Sequence, residues 1–218
     1  FRNATLDREE VIAMVAVAPR RSDVQVEARM ERPDGTLVAV GTASIGQPAE
    51  ASYLHTIDLR PTDPERLRIL RDVRPGVTRL HHTAAIESSS VAQRIEVGGL
   101  LDALAWYTGP SPWGGPIANP SAEVRLLRNR GGEFGPNVAH AVGLFGAIEI
   151  RHRAGPVFLD REYEVVGEVV AVGASPRTEY LWYETRALDS SGDVVATMRM
   201  QLRWMTASSP LYAGGAES

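Results

Sequence analysis

Proton transfer, metal binding and nucleophilic attack each need particular side chains, and this chain of 218 residues offers few of them. It has no cysteine, which excludes thiolate nucleophiles, disulfides and Cys-ligated metal centres. It has five histidines. His81 and His82 adjoin on a predicted strand, so their rings point to opposite faces, a poor geometry for sharing a metal. His55 and His152 likewise lack ligand spacing, and all four read as structural or surface residues. His140 lies at the start of an apolar stretch, Asn137 to Ile148, where it can face a substrate or hydrogen-bond the preceding loop. Asn119 precedes Pro120, which suits either a group that orients a carbonyl or a water, or an ordinary turn residue. Ser88-Ser89-Ser90 lacks a Gly-x-Ser-x-Gly elbow and a His/Asp partner, and is expected to be loop or cap. Glu133 and Glu149 can each act as a lone carboxylate base, but nothing sets them apart from surface acids. Arg151 and Arg153, with Arg125, Arg128 and Arg130, make a locally basic neighbourhood that suits phosphates or plain solvation.

The elements that must position these groups belong to an ordinary globular chain, with 44% hydrophobic and 23% charged residues. Lys+Arg 23 against Asp+Glu 27 gives a net charge of -4, so no global basic field attracts nucleic acid or an anionic membrane. The longest apolar runs are too short for a membrane span. No membrane or nucleic-acid partner is expected, and the absence of cysteine is compatible with the cytoplasm, the expected location.

The chain matches itself. Leu6-Asp7-Arg8-Glu9 recurs as Leu159-Asp160-Arg161-Glu162. An apolar run follows each copy, then a polar break, then two further strands joined at Asp34-Gly35 and at Ser191-Gly192. Val24, Val26, Ala28 and Met30 alternate with Gln25, Glu27, Arg29 and Glu31; Val194, Ala196, Met198, Met200, Leu202 and Trp204 share a face in the second copy. Each copy is therefore expected to end in a three-stranded antiparallel meander with one buried face, which something must cover. Asn137 to Ile148 is apolar almost all round and is expected to be that cover, a buried helix. Upstream, Val77 to Ile86 is expected to be a strand and Val97 to Tyr107 a helix with Leu100, Leu101, Leu104 and Ala105 inward. Pro64 to Arg71 is expected to form a short linker helix. The domain expectation is a meander at 1–46, a linker at 47–76, a full unit at 77–206 and a tail at 207–218. By the spacing of the repeat, roughly 75 residues of the first unit are expected to be missing ahead of Phe1.

Several stretches carry a family resemblance. Leu100 to Gly109, ending Trp106-Tyr107-Thr108-Gly109, is similar to the overhang helix of the MaoC-like (R-specific) enoyl-CoA hydratases and dehydratases. Gly135-Pro136-Asn137-Val138-Ala139-His140-Ala141-Val142 resembles the opening of that family's central helix, and Gly155 to Asp160 its entry into the first meander strand. The resemblance implies an α+β double hot-dog, a curved antiparallel sheet wrapped round a buried central helix, with the first unit incomplete in this chain. It also implies an acyl-CoA or acyl-carrier thioester as substrate, with no other cofactor and no metal. The thioester carbonyl would sit against amides about His140, Ala141, Val142 and Gly143, where a helix dipole stabilises negative charge on oxygen. His140 and Asn119 would be the catalytic candidates, and Trp113, on the Pro- and Gly-rich loop from Thr108 to Pro120, a substrate-binding residue. The family's Asp-x-Asn-Pro-x-His pattern meets Ile117-Ala118-Asn119-Pro120-Ser121-Ala122 here, which keeps Asn119 and Pro120 but has neither acid nor base at the outer positions. The expected function is thus acyl-thioester binding with hydratase or dehydratase chemistry, its catalytic dyad absent from the visible unit. Thioester hydrolysis, or a non-catalytic partner subunit, are the alternatives. A homodimer, or association with the missing segment, is the expected assembly.

Overall fold

The computed structural model describes residues 3, 5, 8–19, 23–46, 52–100, 103–130 and 132–212. The chain divides into two compact units, residues 1–58 with 145–147, and residues 59–144 with 148–218. Leu6 and Asp7 of the first repeat copy, the break at 20–22, Leu101 and the end of the tail lie outside the described residues.

In the first unit, strands β1 (Ile12–Pro19), β2 (Asp23–Glu31) and β3 (Leu37–Gly46) form an antiparallel sheet in that order. The Asp34-Gly35 turn is as expected. Gly35 takes the positive φ (83°) that closes it, and the Asp34 carboxylate accepts from Thr36 N at 2.8 Å. The register places Val15 beside Ala28 and Gly41, and Val17 beside Val26 and Ala43, so one face is wholly apolar. That face is not buried as expected: Val15 is 67% exposed and Ile45 75%. No described helix of this unit covers it. The only helix among the described residues of this unit, α1 (Tyr53–Thr56), has four residues and buries none of them.

The second unit holds the core. Pro64–Arg66 is a single 3₁₀ turn rather than the longer linker helix expected, with the Asp63 carboxylate accepting from Glu65 N. Strand β4 (Arg79–Ala85) matches the expected strand. Helix α2 runs Ser88–Glu96, so Ser88-Ser89-Ser90 forms its first turn. The helix expected at Val97–Tyr107 is therefore displaced toward the N-terminus. Gly98 (φ 70°) and Gly99 end α2, and only Ala105–Tyr107 regains a 3₁₀ turn, with Leu104 exposed. Helix α3 (Pro120–Leu127) follows, then β5 (Gly143–His152), β6 (Glu162–Ser175), β7 (Thr178–Leu188) and β8 (Val194–Met205). The five strands order β4-β6-β7-β8-β5, and the second meander is antiparallel throughout.

The buried helix is α3, not Asn137–Ile148. Its Ala122, Leu126 and Leu127 lie in one core with Val165, Val169, Leu181, Tyr183, Met198 and Met200 of the sheet. Full burial of each such leucine contributes about 1.5–3 kcal/mol. Residues Pro136–His140 form a 3₁₀ turn, and the chain then extends into β5. Two glycines, Gly143 and Gly146, disfavour a helix there, while Ile148 and Ile150 alternate with Glu149 and Arg151 in the period of a strand. Ile148 and Ile150 pack against the core, and Arg151 Nε donates to Glu149 Oε1 at 2.5 Å.

One buried carboxylate joins distant stretches of this unit. Glu179 on β7 is fully enclosed and accepts from the consecutive amides of Arg68, Ile69 and Leu70 at 2.8–3.1 Å. Tyr212 Oη also donates to it at 2.5 Å. Burial, together with the Glu179 carboxylate, pushes the Tyr212 phenol up to about 12. No helix among the described residues is long and apolar enough to cross a membrane.

Candidate active site

The chemistry-bearing groups gather at the first turn of α3. Asn119 is the N-cap and is almost fully buried. Its Oδ1 accepts from Ala122 N at 3.1 Å and from Ser121 Oγ at 2.7 Å. Pro120 occupies the first helical position, where a missing N–H costs nothing. With Oδ1 turned to the helix, the amide Nδ2 faces away from it, and this buried donor has no partner among the described residues.

One turn on stands Glu123, on the buried stripe with Ala122, Leu126 and Leu127. Its side chain is 5% exposed, and Oε1 lies 2.9 Å from Nε2 of His152, whose side chain is 48% exposed at the end of β5. A carboxylate in the first helical turn is favoured by the positive end of the helix dipole. The hydrogen bond to Glu123 raises the pKa of His152 above the ordinary histidine range, against the opposing effect of burial, with the charge of Glu123 adding to the rise. Burial chiefly raises both Tyr107 and Tyr163, and the Glu123 charge adds to each. Tyr163 Oη accepts from Phe158 N at 3.0 Å and so holds the segment beside the helix start. A buried carboxylate hydrogen-bonded to an imidazole biased toward its protonated form is a pair that can exchange a proton. Among the described residues, no three His, Asp or Glu side chains converge to hold a metal.

The remaining candidates lie elsewhere in this unit. His140 is exposed at the end of the 3₁₀ turn. Ala141, Val142 and Gly143 follow it without a helix, so they do not stand at a helix N-terminus. Val142 N donates instead to Ser208 Oγ at 2.8 Å, and Ala141 N to Val138 O at 3.4 Å. The helix whose dipole was to polarise a carbonyl there belongs to residues 120–127. Trp113 is exposed on the loop that leads into α3, its ring edge-on to Trp106. His81 bonds Glu164 on the surface, and His82 Nε2 lies 3.1 Å from Leu126 O. Sequence reading missed Glu123 and took His152 for a structural or surface residue, because 29 residues separate them and no local spacing marks the pair. One signal was available: Glu123 interrupts an otherwise apolar stripe at helical spacing.

No protein-family model matches the chain, and no curated protein matches it in sequence. Solved structures do match its fold. A putative MaoC domain protein dehydratase from Chloroflexus aurantiacus J-10-fl superposes with a TM-score of 0.58 at 13% identity, over 89% of this chain and 70% of that one. The chain has the hot-dog fold. A monoamine oxidase regulatory protein from Archaeoglobus fulgius (TM-score 0.49, 15% identity, 62% of this chain and 93% of that one) is similar as well. So is a MaoC-like dehydratase from Rhodospirillum rubrum (TM-score 0.46, 18% identity, 62% and 95%). Here the antiparallel sheet packs against α3.

Proposed function

We propose that this protein acts on acyl thioesters as a hydro-lyase, adding water to an enoyl thioester or removing it from a 3-hydroxyacyl thioester. The hot-dog fold supports the substrate class. The observation that carries the reaction is the buried Glu123 carboxylate bonded to His152 at the start of the enclosed helix. In hydration, Glu123 takes a proton from water as the oxygen bonds to C3 of the acyl chain. The imidazolium of His152 delivers its proton to C2 as the double-bond electrons are drawn there. One proton then crosses the 2.9 Å hydrogen bond from the Glu123 acid to neutral His152, which restores the pair. Asn119 Nδ2, the unsatisfied donor, supplies a hydrogen bond to the negative oxygen that develops on the thioester. Water and the thioester, on CoA or on a carrier, are the only reactants.

The test is hydration of crotonyl-CoA, followed as loss of enoyl absorbance, with free thiol measured in the same reaction. Absorbance should fall without thiol release. Glu123→Gln and His152→Gln should each slow it by roughly 10²–10⁴-fold, the usual worth of a positioned acid or base. Thiol release at the same rate would make the protein a thioesterase, and full activity in both variants would remove the pair from the reaction.

A further inference from the structure

The sheet of the first unit has two unlike faces. One carries Glu27, Arg29 and Glu31 of β2 with Thr42 and Ser44 of β3, an ordinary solvated surface. On the other, the central rows are Val15-Ala28-Gly41 and Val17-Val26-Ala43. The flanking rows end in Met30 and Ile45, and no polar or charged residue falls on this face between β1 and β3. It is open as well: Val15 is 67% exposed, Val17 63% and Ile45 75%. A contiguous apolar patch of this kind, free of charge, marks a surface that meets another.

Its relief decides what it can meet. Counted from the turn glycines Gly35 and Gly192, Val26, Gly41 and Ala43 match Tyr183, Met198 and Met200 of the second meander. There the long side chains share a core with α3. Here the central rows hold nothing larger than valine, so the face is nearly flat. Long side chains grip the flanks of a helix, whereas flat faces stack sheet on sheet about 10 Å apart. The face is also complementary to itself. A two-fold axis parallel to the strands sets β1 of one copy over β3 of the other. Val17 then meets the partner's Ala43, and Val15 the partner's Gly41, large against small in both central rows. With no charge on the face, the symmetric contact brings no like charges together.

We propose that two copies of this chain associate through this face, sheet on sheet, about a two-fold axis along the strands. Three strands over seven residues span roughly 14 by 23 Å. That footprint is at the small end for protein interfaces, so the dimer is a weak one that forms and parts with concentration. The association stands apart from the acyl-thioester chemistry, since it uses none of Asn119, Glu123 and His152.

Sedimentation velocity of the whole chain, from about 1 to 200 μM, reads the association. The weight-average coefficient should climb from monomer toward dimer across that range. Val17→Lys and Ala43→Glu should each raise the dissociation constant at least about tenfold, because each sets a charge into an apolar contact. An equimolar mixture of the two variants should dimerise again, since the new ammonium of one copy faces the new carboxylate of the other. Thr42→Lys, on the opposite face beside Glu27, should leave the association unchanged. A wild type that stays monomeric throughout overturns the proposal. So does a dimer that survives both Val17→Lys and Ala43→Glu, which would put the contact on a strand edge or elsewhere. A mixture that stays monomeric overturns the two-fold arrangement of β1 over β3. Should Ala43→Glu fail to fold, Ile45→Lys on the same face replaces it, and an unchanged dissociation constant there overturns the surface.

Discussion

Glu123 and His152 set opposing demands on each other's environment. Burial disfavours charge on either group, yet the hydrogen bond between them favours carboxylate beside imidazolium, and for His152 that bond outweighs burial. A histidine whose folded pKa is raised contributes stability fully below its unfolded value of about 6.5, and that contribution is lost as pH rises through the folded value. Activity that uses the imidazolium as acid must fall in the same upper window. In Glu123→Gln the raising influence is gone and burial alone acts, so the His152 titration should move to lower pH than in the wild type. NMR titration of the ring protons, assigned with His152→Gln, measures this without any substrate. An identical His152 midpoint in both proteins would mean that Glu123 does not govern its charge.

Helix α3 has eight residues, too short to persist without packing and caps. Asn119 supplies the cap through its oxygen, so Asn119→Ala should cost about 1 kcal/mol of stability, while Asn119→Ser, which keeps an acceptor, should recover most of it. Denaturant unfolding separates the two, and equal midpoints for both variants would deny the cap its role. This cap was half visible in advance, since Asn before Pro marks a turn or a helix start, but which apolar stretch formed the buried helix was not. Composition favoured Asn137–Ile148, where almost every residue is apolar; yet an all-round apolar run suits an enclosed strand as well as an enclosed helix. Gly143 and Gly146 settle the matter locally, because each costs a helix roughly 1 kcal/mol against alanine. The meander strands, by contrast, were legible because alternation of two is hard to imitate. The Glu123–His152 pair was not, because only the packing of β5 beside the enclosed helix brings side chains 29 residues apart together. Sequence pattern reports periodicity within an element and is silent on which elements meet.

The repeat makes the same point for the molecule as a whole. Both copies yield a three-stranded antiparallel meander with a Gly turn between the last two strands, as their shared order implied. Burial does not repeat. On β7 the run Glu179 to Tyr183 is wholly buried, and the Glu179 carboxylate further ties that strand to the amides of residues 68–70. On β2 no described residue is buried, although Val24, Val26, Ala28 and Met30 form a continuous apolar row. Both strands are central in their meanders, with a hydrogen-bonded neighbour on each side. Backbone pairing is thus matched between them, and side-chain burial is what differs. Local opening free energy follows buried apolar contacts, so the amides of 24–31 should exchange with solvent much faster than those of 179–187. Hydrogen–deuterium exchange read by mass spectrometry makes the comparison within one sample. Equal protection of the two strands would show that ladder hydrogen bonds, rather than burial, set stability in this protein.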